Sequence, residues 1–258
     1  MIVCGDEVAC SLVQRPSPNH GDRRGAKVDL IILHYTAMES AEAAAARLTD
    51  PATEVSAHYL IARDGQLMAL VPEERRAWHA GRSGWGSITD INSHAIGIEL
   101  DNAGAAEDPA PAFAEPQMAR LEGLIDQIRG RHAIPPERIL GHACVAPGRK
   151  QDPGEKFDWR RLALEGRAVW LDPDPSAQAL ALGTGDARLF GAAARGIGYV
   201  FPEEGPGWSA PLRAVWAAFA QRFLPMRARD PLPGPAAVAH AEALAARFPV
   251  MREGDAQI

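Results

Sequence analysis

The chain has 258 residues, 47% of them hydrophobic and 23% charged, with a formal net charge of -6. These values belong to an ordinary soluble globular protein with one large domain or a medium one plus a small one, and the acidic balance argues against a nucleic-acid partner. Cys4, Cys10 and Cys144 are too few and too scattered for a disulfide framework and none stands in a CxxC pair, so at most Cys4 and Cys10 bond to each other.

Met1 to Arg24 has no lysine or arginine ahead of its only apolar run, and Asp6 and Glu7 interrupt that run. A secretory signal needs a basic start and roughly 7–15 apolar residues after it. No stretch approaches the roughly 20 apolar residues of a membrane span. The expectation is a cytoplasmic protein with no membrane span, and a periplasmic one is the alternative. Residues 11–26 read as an extended lead-in. Val28 to Leu33 is nearly all apolar and β-rich, as a strand buried on both faces should be, and it stops at His34. Glu39 to Leu48 is alanine-rich and reads as a helix that Pro51 ends. Ser56 to Ala62 and Gln66 to Val71 flank Arg63-Asp64-Gly65, a hairpin signal.

Residues 73–94 read as a long irregular loop that holds Trp78 and Trp85. Loops of that length are usually functional or disordered, and tryptophans argue against disorder. Ala95 to Leu100 is a second buried-strand candidate with one carboxylate, Glu99. Pro116 to His132 carries Met118, Leu121, Leu124, Ile125 and Ile128 at helical spacing. Ile134 to Leu140 then leads into the turn-rich stretch from Gly141 to Gly154. Beyond Trp159 the character changes. Leu171 to Pro175 looks like a linker between a domain at 1–170 and a helical one at 176–258. In the latter, Ala187 to Ile197 and two apolar faces (Leu212, Val215, Trp216, Phe219 and Phe223; Val238, Ala241, Leu244 and Phe248) make three short helices. Those faces are expected to be core.

Three apolar runs each deliver a polar group at or near their ends: His34, Glu99 and His142. An ionised carboxylate is costly to bury unless it is paired, so together these residues suggest a site at a sheet edge. The stretch from Gly141 adds Cys144, Lys150 and Asp152. Two imidazoles and a carboxylate make a three-ligand zinc site with an open position, the catalytic arrangement, and Cys144 is a rival ligand. A second carboxylate would serve as proton carrier and Lys150 as the oxyanion's partner. That inventory specifies metal-assisted amide hydrolysis. In the long loop and after the Glu99 strand, Arg82, Trp85 and Asn102 are candidate substrate contacts, since arginine and tryptophan bind carboxylates and apolar sugar faces. Trp78 is expected to anchor the loop, and His58 and His79 to line the pocket.

The segments IILHYTA, SAHYLIARDG, AWHAGRSGW, IGIELDN and GHACVAPGRKQDPG, in this order over about residues 15–160, resemble the zinc-dependent N-acetylmuramoyl-L-alanine amidase type 2 family. That family includes cell-wall-recycling amidases, phage lysozyme-type amidases and peptidoglycan recognition proteins. The resemblance implies an α/β fold with a mixed central β-sheet flanked by α-helices. It implies Zn2+ held by His34, His142 and Asp152, with Glu99 and Lys150 catalytic. Asp152 matches the members that use Asp as third ligand, whereas phage and recognition-protein members use Cys. The C-terminal part, with AAFAQRFLP in it, is similar to the three-helix peptidoglycan-binding domain of some bacterial members. The expected reaction is hydrolysis of the amide between N-acetylmuramic acid, in its 1,6-anhydro form, and L-alanine of the stem peptide, in peptidoglycan recycling. Muropeptides or peptidoglycan fragments are then the partners. Alternatives are a wall-remodelling amidase, a peptidase acting inside the stem, and a non-catalytic muropeptide sensor.

Overall fold

The computed structural model describes residues 12–107, 110–174, 183–203, 205 and 207–250. Cys4 and Cys10, with the pairing considered for them, lie outside the described residues. By its contacts the chain divides into two compact units, residues 1–81 with 92–134 and residues 82–91 with 135–258.

The described strands are β1 (Leu12–Gln14), β2 (His20–Asp22), β3 (Leu30–Tyr35), β4 (Tyr59–Ile61), β5 (Leu67–Ala69), β6 (Arg75–Ala77), β7 (Ala95–Leu100) and β8 (Ile139–Gly141). In the first unit five of them form one sheet in the order β1-β5-β4-β7-β3, and β2 pairs with β6 in a ribbon of its own. The sheet is mixed, as expected: β4 and β5 run antiparallel, whereas β3 and β4 each run parallel to β7. Helices α1 (Ala41–Thr49), α3 (Glu115–His132) and those after β8 complete the α/β class, with the single turn α2 (Ile91–His94) leading into β7. Among the described residues, no helix is long and apolar enough to cross a membrane.

In the first unit, Leu30 to Leu33 and Ile96 and Ile98 are completely buried, which explains why these strands read as unbroken apolar runs. Helix α1 begins two residues later than the alanine run suggests because Ser40 caps it, its hydroxyl accepting from the Ala43 N–H at 3.2 Å. Ala44, Ala45 and Leu48 of that helix pack in one cluster with Leu60, Met68 and Leu70. The Asp-Gly hairpin forms as expected. Gly65 takes a positive φ of 88°, and the Asp64 carboxylate accepts from the Gln66 N–H at 2.9 Å. Helix α3 buries Met118, Leu121, Leu124, Ile125 and Ile128 and stops where Ala133 turns left-handed. The stretch expected to be irregular from 73 contains β6, which the sequence conceals. It is three residues long and polar, and it is held by backbone pairing to the equally polar β2.

In the second unit, β8 runs directly into the single turn α4 (His142–Val145), followed by α5 (Trp159–Leu164), α6 (Ala187–Ile197), α7 (Ala210–Phe223) and α8 (Pro235–Arg247). Asp186 and Ser209 cap α6 and α7 through their side-chain oxygens. Phe190, Trp216, Phe219 and Phe223 are buried, with ring centroids 5.1–6.1 Å apart along the row. The aromatic face of α7 is therefore core, as its spacing predicts.

Candidate metal and catalytic residues

In the first unit, His34 on β3 stands in register with Glu99 on β7. The strands are parallel neighbours, so both side chains leave on the same face. His34 is 1% exposed and Glu99 is half-buried. The Nε2 of His34 lies 3.1 Å from the Nδ1 of His79. The His79 ring occupies the space over Gly97, where a Cβ would come within 2.5 Å of its Cγ. Gly97 sits two residues before Glu99 and therefore shares its face. The backbone carrying His79 is clamped: the Asn92 side-chain oxygen accepts from the N–H of His79 at 3.1 Å and of Ala80 at 2.8 Å. The Ser56 hydroxyl accepts from the Trp78 N–H at 2.8 Å, which fits Trp78 as a loop anchor.

His58, expected to line the pocket, is instead a buried strut. Its Nδ1 accepts from the Gly97 N–H at 2.9 Å, and its Nε2 lies 3.0 Å from the Arg75 carbonyl and 2.9 Å from Arg23 Nη2. Burial, followed by the positive charge of Arg23, pushes its pKa down to about 3, so the ring is neutral. Arg23 is buried as well. It donates to the carbonyls of Glu73, Ser93 and Ala95, and burial lowers its pKa to about 10.

In the second unit, Gly141 lets the chain fold back on itself. A Cβ there would sit 2.6 Å from Pro153 Cδ, and the Ala143 N–H donates to the Asp152 carbonyl at 2.9 Å. This brings His142 Nδ1 to 3.0 Å from Asp152 Oδ2, both side chains buried. Lys150 is exposed, and its N–H donates to the Ala146 carbonyl at 3.1 Å. Cys144 is held elsewhere: its Sγ lies 3.7 Å from the Tyr199 hydroxyl and 3.9 Å from Arg222 Nη1. Arg222 is itself buried and stacked on Trp159, 4.2 Å from the ring centroid.

Among the described residues, His34 in the first unit and His142 and Asp152 in the second are buried donors of the kinds that hold a metal ion, whereas Cys144 is engaged with Tyr199 and Arg222. The donor chemistry fits zinc. The 3.0 Å between the His142 and Asp152 donors is close to the roughly 3.3 Å that separates neighbouring ligands of a tetrahedral ion with bonds of about 2.0–2.1 Å.

Two of the expected substrate contacts have their side chains engaged within the chain. Trp85 is 4% exposed, rests edge-on against Tyr199 and fills the space over Gly198, where a Cβ would come within 2.4 Å of its ring. Its indole is therefore an anchor of the loop. Asn102 is buried, and its amide is used up locally: Nδ2 donates to the Pro111 and Ala112 carbonyls, and Oδ1 accepts from the Gly104 N–H at 2.8 Å. Arg82 is exposed, and its carbonyl accepts from Arg149 Nη2 at 2.8 Å. Sequence reasoning did not single out Arg23 or Arg222. The signal for Arg222 is a charged residue beside Phe219 and Phe223 near the end of an alanine- and aromatic-rich helix.

The family model described as N-acetylmuramoyl-L-alanine amidase matches residues 24–155. The chain is 37% identical over 157 residues to N-acetylmuramoyl-L-alanine amidase AmiD of Escherichia coli, a match covering 57% of this chain and 56% of that protein. It is 43% identical over 108 residues to 1,6-anhydro-N-acetylmuramyl-L-alanine amidase AmpD of Haemophilus influenzae, covering 42% of this chain and 56% of that one. The chain thus spans about half the length of the curated relatives it matches. Among solved structures, AmiD of E. coli in complex with anhydro-N-acetylmuramic acid-L-Ala-D-gamma-Glu-L-Lys superposes with a TM-score of 0.76 at 31% identity, over 87% of this chain and 92% of that one.

Proposed function

The chain belongs to the N-acetylmuramoyl-L-alanine amidase family, and from that membership we propose that it is a zinc amidase. It cleaves the amide between the lactyl group of anhydro-N-acetylmuramic acid and L-alanine of the stem peptide, in the recycling of peptidoglycan fragments. The observation that carries the reading is the buried His142 and Asp152 pair, with donors 3.0 Å apart, in a chain whose solved relative binds an anhydromuramyl peptide.

His34, His142 and Asp152 would hold the ion. Zinc in such a site supplies Lewis acidity that polarises the scissile carbonyl and makes water nucleophilic at neutral pH. Glu99 leaves β7 on the same face as His34. In this reading its carboxylate takes the proton from the attacking water and returns it to the leaving nitrogen. The Lys150 ammonium donates to the oxyanion that develops on the carbonyl oxygen. Arg82, exposed in its loop, is the remaining candidate for a substrate carboxylate.

Mass spectrometry of the products from a 1,6-anhydro-N-acetylmuramyl tripeptide and from intact sacculi, with and without chelator, tests this. The expected result is free tripeptide and free anhydro-sugar from the soluble substrate, abolished by chelator and restored by zinc. Cleavage inside the stem, or turnover that survives complete metal removal, overturns it. Equal or faster release from sacculi replaces the recycling assignment with wall remodelling.

A further inference from the structure

An imidazole binds metal through an unprotonated nitrogen, and the hydrogen bond made by its other nitrogen decides which one that is. The Nε2 of His34 is engaged by His79 Nδ1 at 3.1 Å, with the two rings nearly perpendicular at 79°. In a neutral pair, one of these two nitrogens donates and the other accepts. If His79 donated, His34 would carry its own proton on Nδ1 and have no lone pair left for an ion. If His34 donates, its Nδ1 lone pair is available.

The surroundings of His79 are built to hold its ring there. Gly97 removes the side chain that would collide with the ring, Asn92 fixes the backbone of residues 79 and 80, and His58 stands edge-on at a centroid distance of 5.8 Å. A strand-interior glycine weakens a strand and is found where another group must approach closely. Here the approaching group is an imidazole aimed at the ring of a proposed ligand.

We propose that His79 is a positioning residue for the metal. It accepts the Nε2 proton of His34 and so fixes His34 in the tautomer whose Nδ1 faces the ion. This rests on the zinc reading above. His79 touches neither the ion nor the substrate in this role. The same logic gives Gly97 its purpose, since any larger residue there displaces the acceptor.

The test measures zinc affinity of the full chain by competition with a chromophoric chelator, together with 15N imidazole shifts of His34 in the zinc-free protein. Wild type should take up one zinc per chain and show His34 protonated on Nε2. His79→Phe keeps a ring of similar size but removes the acceptor. It should lose zinc affinity by roughly 10–100-fold, the usual cost of deleting such a partner. His79→Asn, whose Oδ1 approximates the position of Nδ1, should recover most of that loss. A purely structural role predicts no such rescue. Unchanged affinity in His79→Phe, or a His34 proton on Nδ1 in wild type, overturns the proposal while leaving the metal site standing. A wild-type chain that binds no zinc would instead remove the metal site itself.

Discussion

His34 and Asp152, two donors of the proposed metal set, are delivered in different ways. His34 lies in a six-residue strand whose backbone is bonded along its length to β7 and whose first four residues are completely buried. Its position is set by the sheet, and only its ring orientation is left to a side-chain partner. Asp152 lies in a turn-rich segment, held by one backbone bond to Ala143, by His142 Nδ1, and by the seat of Pro153 on Gly141. A strand donor is rigid before any ion arrives. A loop donor has few bonds of its own and gains more of its order from the ion, because metal binding and local folding are linked.

The largest expected effect concerns the strand side. Glu99→Gln should retain zinc and fold, since the substitution is nearly isosteric, yet lower kcat by roughly 10²–10⁴-fold, the usual contribution of a general base. Turnover close to wild type would move the proton carrier elsewhere.

Removing the metal should separate the two routes. Amide hydrogen exchange at Ala143, whose N–H is bonded to the Asp152 carbonyl, should quicken by roughly tenfold or more in chelator, as local opening becomes easier. Exchange at Leu33 in β3 should stay as it was. Equal acceleration at both positions would abolish the distinction drawn here.

A third effect, away from the proposed site, is on stability against pH. The folded pKa of His58 is about 3, below its ordinary 6.5. The unfolded chain therefore takes up a proton as pH falls through 6.5, whereas the folded one does not until near 3. Stability from this group is present above 6.5 and is lost on the way down. Between pH 7 and 5 the loss is about 2 kcal/mol. Glu73 has a lowered pKa of about 2 from an ordinary 4.5, held down against its burial by hydrogen bonds from Arg131, Tyr59 and His132. It acts in the same direction but mainly below that interval. His240, in the other unit, is also shifted downward by burial and adds to the slope. Denaturant midpoints at pH 7 and 5 should thus converge partly, not wholly, in His58→Asn. An unchanged slope would mean that His58 titrates alike in the folded and unfolded chains.

Much of this molecule is legible in its sequence, for physical reasons. Strands buried on both faces announce themselves by unbroken apolar runs, so β3 and β7 and the polar groups on them could be read directly. Asp64-Gly65 marks the hairpin, and the spacing along α3 and α7 marks their core faces. What escaped detection depends on partners that no local pattern in the sequence marks. The short polar strands β2 and β6 exist only because they pair. Trp85 and Asn102 have side chains suited to a ligand, yet Tyr199 and Gly198 take up the one, and residues 104, 111 and 112 take up the other. The work of Gly97 is invisible until His79 is seen above it.

The placement of Cys144 bears on a different property, endurance under oxidative stress. Peroxide attacks thiols according to how exposed they are and how much thiolate they carry. The thiol of Cys144 is 2% exposed beneath Tyr199 and Arg222, and the proposed ligands are nitrogen and oxygen atoms alone. A reaction centre of the proposed kind would hold no sulfur, and the one described thiol is sealed within its packed unit. The proposed activity would therefore be insulated from the redox state of its surroundings in a way that a centre with a thiolate ligand is not.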